Sequence, residues 1–98
     1  MKKVMISITD YCVRCQVEPE FVYALHREGL IEIVTEREKL YIRDEQLGDL
    51  EQFRRLYYDL NINIEGIDAM HHLLQKVKLM REEINQLRNR LKLHEDGW

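Results

Sequence analysis

The sequence predicts a mainly α chain: two short helices joined by a tight turn, a small β-hairpin wing, a third helix and a long terminal helix made for dimerisation. Three observations lead there. Pro19 and Gly29 bracket a short helical pattern, and the hydrophobic period changes from helical to alternating after Leu30. Met70, Leu73, Val77, Met80, Ile84, Leu87 and Leu91 then recur at alternating steps of three and four, which puts them on one seam of a helix. The chain divides into a winged head over 1–62 and a long coiled-coil helix with its tail over 63–98.

The first helix starts beside Thr9 or Asp10, either of which can accept a bond from a free backbone N–H. Tyr11, Cys12 and Val13 supply its buried side, and it ends near Gln16. Pro19 suits a first helical turn because the N–H it lacks would be unpaired there, so the second helix begins at Glu18 or Pro19. Phe21, Val22 and Leu25 face one side of it. Gly29 stops it by taking the left-handed conformation.

Ile31 to Thr35 and Lys39 to Ile42 are β-prone runs on either side of the charged tip Glu36-Arg37-Glu38, the pattern of a hairpin. Asp44 caps a third helix, in which Leu47, Leu50, Phe53, Leu56 or Tyr57, and Leu60 recur at helical steps and Gly48 is tolerated. One of Tyr57 and Tyr58 packs on the core with Phe53, leaving the other as an exposed contact. Asn61-Ile62-Asn63 breaks the period and Asn63 caps the last helix, which runs from about Ile64 past Leu91 into a frayed tail, His94 to Trp98.

Composition narrows the function. Ninety-eight residues, 45% of them hydrophobic, suit one small domain and an extension. No nucleophile, base and orienting acid form a recognisable set, and no glycine-rich phosphate loop occurs. The chain reads as a binding protein and not an enzyme, without a cofactor. It has no membrane-length apolar run, and its start, Met1-Lys2-Lys3-Val4-Met5, lacks the pattern of a signal peptide; a cytoplasmic protein is the expectation. Cys12 and Cys15 lie one helical turn apart with no second cysteine pair to complete a zinc site, so helix packing accounts for them. His71 and His72 are adjacent, point about 100° apart on a helix and cannot grip one ion from one face. His26 is read as a surface side chain, and no metal is expected.

The order of elements resembles that of MerR-type winged-helix regulators. The phrases Ile8-Thr9-Asp10-Tyr11-Cys12, Gly29-Leu30-Ile31 and Ile64-Glu65-Gly66-Ile67, followed by a coiled-coil helix, bring the chain closer to the CbpM-type chaperone modulators. That resemblance implies a MerR-like winged helix-turn-helix that binds and restrains the J-domain of a DnaJ- or CbpA-like co-chaperone. The alternative is a MerR-like transcription regulator that binds DNA. A third reading is a plain coiled-coil adaptor.

Charge separates the first two. Between Gln16 and Glu51 stand four bases, Arg27, Arg37, Lys39 and Arg43, against ten acids, a balance of minus six. Such a surface repels phosphates within a Debye length of about 8 Å and attracts a basic protein surface. MerR regulators as a family carry an arginine-aromatic phrase in the second helix, whereas Phe21-Val22-Tyr23-Ala24-Leu25 here has no base. No nucleic acid is therefore expected as partner. The residues expected to meet a basic J-domain are Glu28, Glu32, Glu36, Glu38, Asp44, Glu45, Asp49, Tyr57 and Tyr58. Ile67 and Leu74 lie off the seam and suit packing on the head, but Ile64 to Leu91 covers about 40 Å at 1.5 Å per residue, longer than a small head can cover. The seven seam residues are accordingly assigned to a homodimer, and MerR-like proteins pair such helices antiparallel.

Overall fold

In a computed structural model of the chain, the described residues are 4–96; Met1 to Lys3 at the start and Gly97 and Trp98 of the tail lie outside them. The elements are β1 (Met5–Ser7), α1 (Ile8–Cys15), α2 (Pro19–Arg27), β2 (Val34–Glu36), β3 (Lys39–Arg43), a 3-10 turn (Asp44–Gln46), α3 (Leu47–Arg54), a π-helical segment (Arg55–Asp59) and α4 (Ile64–Asp96). The chain forms two compact units, one through Asp68 and one from Ala69 onward.

Left-handed residues end the first two helices. At the end of α1, Gln16 takes φ 55°, so the Val17 N–H reaches back to the Cys12 carbonyl and the Val17 side chain is buried. Gly29, at φ +76°, does the same after α2, with the Leu30 N–H on the Leu25 carbonyl. The cap of α1 differs from expectation: Ser7, and neither Thr9 nor Asp10, is the N-cap, its Oγ accepting from the Asp10 N–H at 3.1 Å. Tyr11 and Cys12 are buried with Ile8, but Val13 is 73% exposed, so Ile8 takes the core position assigned to Val13.

The wing is one strand larger than the expected hairpin. β3 is central, pairing antiparallel with β2 through Val34↔Tyr41 and Glu36↔Lys39 and with β1 through Met5↔Arg43 and Ser7↔Tyr41. Ile42, opposite Ile6, is fully buried and anchors the sheet to the helices. Ile31 is buried but precedes the strand, which is Val34–Glu36 and not the expected 31–35 run. Arg37 and Glu38 form the two-residue tip, both with positive φ, 51° and 65°, the mirror-image turn that matches the twist of a hairpin.

Asp44 does not cap α3. It opens the 3-10 turn, and its own N–H bonds the Val4 carbonyl as an extension of the β1 ladder. Leu50, Phe53 and Leu56 are buried, while Leu60 is 63% exposed. The π-helical segment explains that failure of the helical period. The Leu60 N–H bonds the Arg55 carbonyl five residues back, and the wider turn rotates Leu60 off the buried face.

Asn63 caps α4 as expected, its Oδ1 accepting from the Gly66 N–H at 2.8 Å. A Cβ on Gly66 would lie 2.8 Å from Ile62 Cγ2, so the close turn needs glycine. Ile67 is fully buried in the first unit. The helix continues through His94 and Glu95 to Asp96, so these residues are helical and not a frayed tail. No helix among the described residues is long and apolar enough to cross a membrane.

Candidate functional site

The segment after α2, the wing tip, the 3-10 turn and the first turn of α3 carry the acidic residues singled out in the sequence. Glu28, Glu32, Glu36, Glu38, Asp44, Glu45 and Asp49 are all exposed. Glu32 alone of these seven makes an ion pair with another described residue, Arg43 Nη1 donating to its Oε2 at 3.0 Å. Its backbone is fixed as well: the Glu32 N–H donates to Gln46 Oε1 at 2.6 Å and Gln46 Nε2 donates to the Glu32 carbonyl at 2.8 Å. Glu36 ends β2 and Glu38 stands in the wing tip itself. Asp44, Glu45 and Asp49 sit at the entry to α3, where carboxylates also offset the positive end of a helix.

The two tyrosines come together on α2. Tyr57 is half-buried and Tyr58 is 39% exposed. Both rings meet Phe21, with centroids at 4.9 Å and 5.3 Å, and they meet each other at 5.0 Å. Neighbouring residues of an α-helix diverge by about 100°, and it is in the π-helical segment that both reach the same ring. The Tyr58 hydroxyl accepts the Glu18 N–H at 3.1 Å, an otherwise free donor at the start of α2. Phe21, Glu18, Glu20 and Arg27 border these rings and were not among the expected site residues. Two adjacent tyrosines after an amphipathic helix were the available signal.

Beside Tyr23, a groove of about 800 Å³ is lined by β1, α1 and residues 38–41 of the hairpin, its charges balanced between Asp10 and Glu38 and Arg14 and Lys39. On α3, Arg54 and Arg55 pair with Glu51, and the hydrogen bonds from Arg54 hold the Glu51 carboxyl below its usual range. Burial pushes the Cys12 thiol and the Tyr11 phenol up, away from their charged forms, which suits packing and not nucleophilic chemistry. His26 is exposed, with Nδ1 donating to the Ile31 carbonyl at 3.3 Å, and Gln75 Nε2 donates to His71 Nε2 at 3.2 Å. Among the described residues no group of three or more His, Cys, Asp or Glu could hold a metal ion.

In the second unit, Met70 is half-buried and Leu73, Val77, Met80, Ile84, Leu87 and Leu91 are 42–62% exposed. Leu74, at 41%, is also open. These side chains leave a long, largely exposed apolar stripe along α4.

Residues 6–89 match the family model described as MerR HTH family regulatory protein. The chain belongs to the MerR helix-turn-helix family. No curated protein matches it. Within this MerR-family chain α1 and α2 are the helix-turn-helix and β2–β3 the wing. The outer side of α2 offers Glu18, Glu20, the half-buried Tyr23 and Ala24, and a single guanidinium, Arg27. A duplex-reading helix needs several cations at these places to hold phosphates. The outer side of α2 in this MerR-family head thus carries one cation against two carboxylates.

Proposed function

We propose that this MerR-family chain is a chaperone modulator that binds and restrains the J-domain of a DnaJ- or CbpA-like co-chaperone without catalysing a reaction. The observation that supports this is the surplus of exposed carboxylates on α2, the wing and the entry to α3, against four bases over the same stretch. Carboxylates in that number steer a basic protein surface towards the head and discriminate against phosphate backbones. J-domains carry a basic helix that also serves their Hsp70 partner. An acidic head bound there would keep the two apart. The test is a titration of labelled protein with the organism's J-domains and with duplex DNA, followed by NMR. Shifts on α2 and the wing with a J-domain support the reading; shifts there with duplex alone favour the transcription regulator.

The seam of α4 belongs to a homodimer in this proposal, and its flanking charges favour one orientation. Antiparallel helices stacking Met70 on Leu87, Leu73 on Ile84 and Val77 on Met80 bring Lys76 of one copy beside Glu83 of the other. Parallel helices bring Lys76 beside Arg81 instead, which cancels the attraction they allow between Glu83 and Arg88. Each exposed pair is worth only about 0.2–1 kcal/mol, enough to choose an orientation whose stability comes from the apolar seam. The dimer presents two acidic heads.

A further inference from the structure

We propose that the groove between α2 and the π-helical segment is a receptor for one arginine side chain of a protein partner. The inference deepens the reading of the head as a binder of basic protein surfaces and rests on that reading for the partner's class, while the groove's own geometry is independent of it.

The groove, about 400 Å³, is lined by Glu18, Glu20, Phe21, Ala24, Arg27, Tyr57 and Tyr58. Its wall is the three-ring cluster, with Tyr58 exposed at the rim and tied to the backbone of Glu18. At one end are the carboxylates of Glu18 and Glu20, neither of which makes an ion pair with another described residue. At the other is Arg27, seven residues beyond Glu20 and so about 10 Å away along the helix. The exposed ring of Tyr58, backed by the half-buried Tyr57 and beside free carboxylates, suits a cation that is flat and carries an apolar stem. A guanidinium stacks on a ring while its N–H groups reach a carboxylate, and its methylenes cover the small side chain of Ala24. An ammonium gains less because it cannot stack. The guanidinium of Arg27 disfavours a second cation at its own end, which directs the incoming arginine to the Glu18–Glu20 end.

The π-helical segment is an independent pointer to the same place. Single π turns interrupt helices often at functional sites. Here the irregularity sets two consecutive tyrosines against Phe21 and closes through the Leu60–Arg55 backbone bond.

The test uses the full chain and two small probes of nearly equal shape, N-acetyl-arginine amide and N-acetyl-citrulline amide, at matched ionic strength. A ligand of about 15 heavy atoms reaches millimolar affinity at best, so shifts of the ring protons are followed to tens of millimolar. Saturable shifts at Tyr57, Tyr58 and Phe21 with the arginine probe, at least fivefold weaker with citrulline, are expected. The substitutions E18Q and E20Q, both exposed, should remove most of that preference with the fold intact. Equal responses to both probes, no saturable shift with either, or arginine shifts confined to other surfaces overturn the proposal. Failure of J-domains to bind while the arginine preference stays intact would remove the chaperone reading and leave the receptor standing.

Discussion

The side-chain amide of Gln46 grips Glu32 by both of its backbone polar groups, accepting the N–H at 2.6 Å and donating to the carbonyl at 2.8 Å. The pair joins the loop after α2 to the turn before α3, and the Glu32–Arg43 ion pair ties the same loop to β3. The wing is thus held at its base by side chains as well as by strand pairing. Replacing Gln46 by alanine removes both bonds where water can substitute, a loss of about 1 kcal/mol. Glutamate costs more, because a carboxylate faces the Glu32 carbonyl without a proton to donate. Urea denaturation should rank the wild type above Q46A and Q46A above Q46E; equal midpoints would mean that the clamp does not act in solution.

The wing tip holds two non-glycine residues at positive φ, Arg37 and Glu38. Asparagine and glycine occupy such a turn with less strain. The double variant R37N/E38G should raise the unfolding free energy by about 1 kcal/mol, read as a higher midpoint with unchanged denaturant dependence. A lower midpoint would show that the tip is not a two-residue turn.

Tyr11 has a buried hydroxyl without a hydrogen-bond partner among the described residues, and burial raises its ionisation above the usual tyrosine value. Removing an unsatisfied group should be neutral or stabilising, so Y11F is expected to match or exceed the wild type by up to about 1 kcal/mol. The pH dependence has a definite sign. The unfolded phenol ionises near pH 10 and the folded one above that, so its contribution is fully present below about pH 10 and declines as the pH rises towards the folded value. Cys12 acts in the same direction from a lower pH. Melting curves from pH 8 to 11 should therefore fall less steeply for Y11F than for wild type. A parallel fall in both would rule Tyr11 out as a source.

Along α4, I84D places a carboxylate in the middle of the exposed stripe. Sedimentation should change from dimer to monomer while the head keeps its circular dichroism and its NMR spectrum, since Ile84 lies outside the head unit. A variant that still sediments as a dimer would remove the seam as the interface.

How much of this was legible in the sequence depends on how local each signal is. Pro19, Gly29 and Asn63 act within one turn of themselves, and each sits where expected. Ser7, Thr9 and Asp10 are equally able caps, and the choice fell to Ser7 because β1 holds it in the extended conformation. β1 itself has only three residues and depends wholly on β3 for its hydrogen bonds, so no periodicity could announce it. The π turn leaves no compositional mark, yet it decides that Leu60 turns outward and that Phe21 becomes the neighbour of both tyrosines. Exposed carboxylates were legible because acids seldom bury. Which of them a neighbour holds was not: Glu32 meets Arg43 only once the hairpin has formed.

The central claim is that the acidic MerR-like head recognises a basic protein surface in preference to nucleic acid, and calorimetric titration at low and moderate salt tests it most directly. With the J-domains of the same organism at about 100 μM, saturable heat that weakens as salt is added is expected, with little heat from duplex DNA under the same conditions. Absence of J-domain binding at that concentration, together with tight and salt-sensitive duplex binding, would contradict it.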